Sequence, residues 1–164
     1  MDETTEALVR SLNNQRDHVI AILDGLGADA LHTPVLPTGW SCLGLVQHLS
    51  FDVERFWFRQ VMAGEESGPD ELDQSAASAW DVEPTTPPDV VLARYRAEIE
   101  HGNAIIASTP LGSAPVAWPD DLFGDFRLPD LRAVLPHVIT ETACHAGHLD
   151  AACELIDGRT WLIL

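Results

Sequence analysis

The chain has 164 residues, 46% hydrophobic and 21% charged, a composition that predicts one globular domain over residues 1–164. Its 26 acidic residues outnumber 9 basic ones, all arginine, for a formal net charge of −17 at pH 7. Such a field repels a phosphate backbone and an anionic lipid surface, which argues against nucleic-acid and membrane partners.

The opening Met1-Asp-Glu-Thr-Thr-Glu lacks the basic flank and apolar run of a signal peptide, and no uninterrupted apolar run reaches transmembrane length, so a cytoplasmic location is expected. A first helix is predicted from about Thr5 to Leu26, where Leu8, Leu12, Val19, Ile22 and Leu23 give an amphipathic period and Gly25 and Gly27 offer stops. After a loop with Pro34, Pro37 and Gly39, Ser41 is a plausible N-cap for a second helix. Its apolar positions Leu45, Val46, Leu49, Val53, Phe56 and Trp57 carry it to about Met62. The acidic, proline-containing stretch Gly64 to Pro88 reads as a long surface loop, with a short helical turn near Ala76 to Trp80. Pro88-Asp89 opens a third helix that ends before Thr109-Pro110. Gly112 to Pro129 is expected to be irregular, with a small ribbon around Trp118-Pro119 and Phe123-Gly124-Asp125-Phe126. The fourth helix spans about Asp130 to Ile156 and stops at Asp157-Gly158. The predicted fold is all-α: a four-helix bundle with long loops between helices two and three and between three and four.

Chemistry concentrates on the fourth helix. At 3.6 residues per turn His137, Glu141, His145 and His148 share one narrow arc, and burying such an arc unpaired would cost several kcal/mol. A helix-two His48, with Asp52 one turn further on, can face this arc and complete a three-ligand metal site that leaves positions open for water or substrate. Three ligand sets compete: His48 with Glu141 and His145, His48 with His145 and His148, and His48 with His137 and Glu141. Spacing alone does not choose among them. No His-Glu-x-x-His zincin motif and no Gly-x-Ser-x-Gly elbow occurs, so metalloprotease and serine-hydrolase readings have no support. The three cysteines form no CxxC pair. Cys42 and Cys153 read as small buried hydrophobes, with Cys144, beside His145, a minor ligand candidate. His18, His32 and His101 read as surface or packing residues.

The segment Pro37-Thr-Gly-Trp40-Ser41-Cys-Leu-Gly-Leu-Val-Gln-His48-Leu resembles the helix-two signature of the DinB-like (damage-inducible) superfamily, which includes mycothiol- and bacillithiol-dependent enzymes. The closing Glu141-Thr-Ala-Cys-His145-Ala-Gly-His148-Leu-Asp150 and Glu154-Leu-Ile-Asp157-Gly158 are similar to the last helix of an actinobacterial branch of unknown function within it. The resemblance covers nearly the whole chain. It implies an up-down-down-up bundle and a divalent metal held by His48, Glu141 and His145, with zinc first and nickel, iron or manganese as alternatives. Glutamate at position 141 is similar to the metal-binding bundle domain of mycothiol-dependent maleylpyruvate isomerase, and no counterpart of that enzyme's second domain is expected.

The expected function is that of a metal-dependent thiol S-transferase joining mycothiol or a related thiol to an electrophilic small molecule. A metal-dependent hydrolase and a non-catalytic metal- or ligand-binding bundle are the rival readings. His148 or Asp52 is expected to orient ligands or move a proton, and Arg55, Arg59, Arg94 or Arg96 to offset the acidic field near the entrance. A homodimer is also expected, because Trp57, Phe58 and Trp161 exceed what one small interior needs.

Overall fold

The computed structural model describes residues 2–66 and 79–161. It is all-helical, with no strand among the described residues: α1 (Glu3–Ile22), α2 (Ala28–His32), α3 (Cys42–His48), α4 (Leu49–Met62), α5 (Pro88–Ser108), α6 (Asp120–Phe123) and α7 (Leu131–Asp157). The expected turn near Ala76 to Trp80 falls mostly outside the described residues, although Ala79 and Trp80 do form a turn.

Asp2 caps α1, its carboxylate accepting from the Thr5 N–H at 2.7 Å and the Thr5 hydroxyl at 2.8 Å, and Glu3 and Glu6 complement the positive helix end. The helix ends at Ile22 rather than Leu26, because the Asp24 N–H bonds the Ala21 carbonyl and Gly25, at φ 77°, turns the chain. One turn of helix, α2, then buries Leu31, in a stretch too short for any period to announce it.

Ser41 caps α3 as the sequence predicts, its hydroxyl accepting from the Gly44 N–H at 3.0 Å. Beyond His48 the helix does not stay regular. Over Leu49–Met62 it widens to the i→i+5 pattern, seen at its end in the 3.0 Å bond from the Ala63 N–H to the Phe58 carbonyl. The cause lies in the spacing of the buried apolar positions Leu45, Leu49, Val53, Trp57 and Val61, which recur every fourth residue. A regular α-helix would rotate that row by about 40° at each step. A wider turn keeps it facing the core.

α5 begins with Pro88 in its first turn and buries Val91, Tyr95, Ile105 and Ile106. The ribbon expected around residues 118–126 is not formed; α6 stands there instead, led in by Pro119 and closed by Gly124 at φ 55°. Among the described residues no second strand is available to pair with this stretch. Its backbone instead docks on the end of α4, where the Val116 and Ala117 N–H groups reach the Met62 and Val61 carbonyls at 3.4 and 3.1 Å. α7 follows the prediction closely, capped by Asp130 through the Ala133 N–H at 3.0 Å and ended by Gly158 at φ 78°.

α1 packs along α7, α5 along α4, and α4 against α7. The late part of α1 meets the late part of α7: His18 pairs with Asp150 at 2.7 Å, and Arg159 bonds the Ile22 carbonyl at 2.9 Å. A polar spine crosses the core between α1, α4 and α5. Arg16 grips Glu54 through two bonds of 2.7 and 2.6 Å and reaches Asn103 at 2.8 Å, while burial pushes the Glu54 carboxyl up against that pairing. Gly102 makes this crossing tight, since a Cβ there would lie 2.9 Å from the Phe58 ring. Trp57 and Phe58, at 4% and 0% exposure, belong to this interior, so of the residues that argued for a dimer only Trp161 has an exposed face.

Candidate active site

The polar residues of α7 project towards α4 and the chain before α5, and the structure divides them into two groups. At the N-terminal end His137 joins an aromatic cluster, 4.6 Å from Trp57 and 6.0 Å from Phe126. One turn on, Glu141 stands 3.8 Å from His145 Nε2. The His145 ring meets the His48 ring edge-on at 4.9 Å. His148 continues the row, its Nδ1 3.4 Å from His145 Nδ1 and its ring 6.1 Å from Trp40. The structure therefore brings His48, Glu141, His145 and His148 into one neighbourhood, while His137 lines the adjoining cleft against Trp57 and Phe126. Cys144 is exposed on α7, while Cys42 and Cys153 are buried, as expected for small core residues.

His48 is held from two sides. Asp52, one turn along, sits 2.8 Å from His48 Nδ1, and Trp80 stacks on the ring at 4.1 Å and 17°. With Nδ1 donating to the carboxylate, the remaining Nε2 lone pair is free to bind a cation, the arrangement by which second carboxylates orient metal-ligating histidines. Burial depresses the His145 pKa from 6.5 to about 4, helped by the neighbouring His48 and His148. His145 is thus a neutral imidazole at pH 7, the form that coordinates metal.

These donors are of the right chemistry for a borderline divalent ion: two neutral imidazoles, one with an orienting carboxylate, and the Glu141 carboxylate, whose side chain is 43% exposed and able to swing. Among the described residues no three His, Cys, Asp or Glu side chains already stand in coordinating geometry. The separations present are 3.8 Å between Glu141 and His145 Nε2 and 4.9 Å between the His48 and His145 ring centres.

A cleft of about 360 Å³ opens beside this neighbourhood. His48, Asp52, His137 and Glu141 give it a polar side, and Val53, Phe56, Trp57, Leu122 and Phe123 an apolar one. The apolar side depends on α6. Phe123 stacks on Trp57 at 5.6 Å and 13°, and Leu122, 64% exposed, forms the rim. This wall was missed in the sequence because the α6 segment reads there as a ribbon. The FGDF aromatics were the available signal.

Arg55 and Arg59 lie elsewhere. Arg55 is buried against Glu98 at 2.8 Å and stacks over Phe51, and Arg59 bonds Glu65 at 2.7 Å and Glu98 at 3.2 Å. Neither lines the cleft. His18, His32 and His101 have partners of their own in Asp150, the Thr86 carbonyl and Glu65.

A family profile described as mycothiol S-transferase matches residues 7–158, nearly the whole chain and all of the helices that carry the site. The chain belongs to the mycothiol S-transferase family. This places it in the DinB-like superfamily, as the His48 and Glu141–Asp150 segments indicate, and ties it to a low-molecular-weight thiol and a small-molecule substrate. Neither a curated protein nor a solved structure matches the chain. No helix among the described residues is long and apolar enough to cross a membrane.

Proposed function

We propose that this protein is a metal-dependent mycothiol S-transferase whose second substrate is a neutral, apolar electrophile bound in the α4–α6–α7 cleft. The observation that carries the reading is the meeting of His48, His145 and Glu141 at the polar edge of a cleft whose other walls are apolar. Residues 1–164 act as a single domain with the up-down-down-up helix order of the superfamily, which the contacts between late α1 and late α7 support.

His48, Glu141 and His145 hold a divalent ion, zinc by preference, with nickel, iron or manganese accommodated by the same donors. When bound, such an ion supplies Lewis acidity that favours the thiolate form of a thiol near neutral pH. The protein's own groups do the rest. Asp52 fixes the His48 tautomer through the 2.8 Å bond to Nδ1. His148, exposed at the end of the row, accepts the thiol proton and passes it to solvent. The apolar wall of Phe56, Trp57 and Phe123 orients the electrophile and keeps water from its reacting carbon. The sulfur–carbon bond forms as the bond from that carbon to its leaving group breaks, and the leaving group departs with the electron pair.

Neutrality of the electrophile follows from charge. Asp52 and Glu141 stand at the cleft, its lining contains no arginine, and the whole chain carries −17. The test is conjugate formation from mycothiol and a neutral aromatic electrophile, followed by mass spectrometry with zinc-loaded and zinc-stripped protein. Conjugate dependent on the ion supports the reading; hydrolysis product alone, or no turnover with any metal, removes it. Equilibrium dialysis with zinc assigns the ligands: alanine at His48, Glu141 or His145 weakens binding by at least about tenfold, and His148→Ala weakens it less. Retention of zinc in Glu141→Ala with loss in His148→Ala would overturn the assignment.

A further inference from the structure

Among the residues that line the α4–α6–α7 cleft are His48, Asp52, Glu141 and His137, and the first three already have a task. His48 and Asp52 are joined at 2.8 Å through Nδ1, and Glu141 stands 3.8 Å from His145. His137 is different. It makes no hydrogen bond or ion pair with the described residues, and its contacts are with rings, Trp57 at 4.6 Å and Phe126 at 6.0 Å. Those two rings hold the imidazole between α4 and the segment after α6.

Chemistry and spacing together narrow what this ring meets. An imidazole keeps at least one N–H in either protonation state, whereas the ionised carboxylates of Asp52 and Glu141 only accept. A molecule entering the cleft therefore finds acceptors at one end and a donor at His137. His137 stands one turn before Glu141 on the same helix, about 6 Å along the axis at 1.5 Å per residue. A group bound there is held away from a reacting carbon beside Glu141, with Phe56, Trp57 and Phe123 walling the apolar space. Neutral carbon electrophiles owe their reactivity to electron-withdrawing groups such as nitro or carbonyl, and these end in acceptor oxygens.

We propose that His137 is a further catalytic residue, donating a hydrogen bond to an acceptor group that an aryl electrophile carries across the ring from its reacting carbon. A conjugated ring is the unit that fits, because it is flat and apolar against Trp57 and Phe123 and transmits charge between two distant atoms. As the sulfur–carbon bond forms, electron density moves through the ring onto the acceptor oxygen, where the His137 N–H meets it. The density returns as the bond to the leaving group breaks, and that group departs with the pair. His137 gives up no proton. Its hydrogen bond is stronger to the charged oxygen than to the neutral one, so it lowers the barrier more than it tightens binding. The inference deepens the S-transferase reading and rests on it for the reaction, though not for the contact itself.

The contact is tested on the full chain without metal or thiol, by equilibrium dialysis of 4-nitrotoluene and p-xylene, unreactive rings of similar size of which only the first carries an acceptor. The parent should bind 4-nitrotoluene about fivefold more tightly, in line with one neutral hydrogen bond. His137→Phe should abolish that preference while binding p-xylene and zinc like the parent, which also establishes its fold, and His137→Gln should restore part of it. No preference in the parent overturns the proposal, as does a preference that survives His137→Phe. Loss of zinc from His137→Phe overturns it too, by placing His137 among the metal ligands. With zinc-loaded protein and mycothiol, His137→Phe should lower kcat for 1-fluoro-4-nitrobenzene at least about tenfold more than for benzyl bromide, which has no acceptor. Equal losses on the two would mark a merely structural effect and remove the catalytic role. Should no conjugate form in any variant while the binding preference holds, the transferase reading falls and the His137 contact stands.

Discussion

His145 concentrates the chemistry of the site in one titration. Its pKa, held at about 4 against an ordinary 6.5 mainly by burial, means that the unfolded chain takes up this proton before the folded one does. The neutral form's contribution to stability is complete above about pH 6.5 and is lost progressively as pH falls towards 4. Thermal melts of the metal-free protein across that window should show a fall in Tm that is shallower in His145→Asn, which has nothing to protonate. Equal slopes would mean that His145 is not held neutral. Asp52→Asn tests the neighbouring residue: keeping the shape but weakening the hold on His48 Nδ1, it should lower zinc affinity by about tenfold or more in dialysis, less than His48→Ala does. The sequence made His48, Glu141, His145 and His148 visible because helical spacing fixes which residues share a face. It did not separate His137 from them. All five lie where spacing allows a shared site, but whether a histidine meets a ligand partner or an aromatic wall depends on α6 and Trp80, which approach from elsewhere in the chain.

At the scale of elements, caps and glycine stops were written locally, and Ser41, Asp130 and Gly158 act where the sequence places them. The widening of α4 was written too, in the fourfold recurrence of Leu45, Leu49, Val53, Trp57 and Val61, but an irregularity of this kind is hidden when the row is read against 3.6. Removing one residue between Phe58 and Met62 should let the helix tighten and rotate its two ends by about 100° relative to each other, taking the core stripe off its face. Such a deletion is expected to lose cooperative unfolding and zinc binding together; a native-like melt would refute the role given to the wide turns. Gly44→Ala is the corresponding test for the 79–81 segment. Its Cβ drives the Trp80 carbonyl away, so overpacking should cost about 1–3 kcal/mol in denaturant unfolding and release the stack on His48, read as a change in tryptophan fluorescence. The misjudged ribbon at 118–126 has a plainer origin: aromatic residues around a glycine suit a strand turn or a one-turn helix equally, and only the docking of Val116 and Ala117 on α4 decides.

Over the whole molecule, charge sets which substrates approach. Raising salt from low to about 1 M shortens the screening length to about 3 Å, so KM for an anionic electrophile should fall while KM for a neutral one stays level. Identical salt responses would show that the −17 field does not reach the cleft. Connectivity sets something different. His18 and Asp150, joined at 2.7 Å, are 132 residues apart, and the rest of the α1–α7 seam spans similar lengths of chain. Long closures of this kind come late and slow folding. At roughly 5–20 residues per second, about 7 to 26 s separate the synthesis of the two halves of that seam. Throughout that interval Leu12, Val19 and Ile22 of α1 have no α7 to cover them, so the nascent chain carries an open apolar stripe from its first helix until its last has emerged, a natural place for a chaperone to hold it.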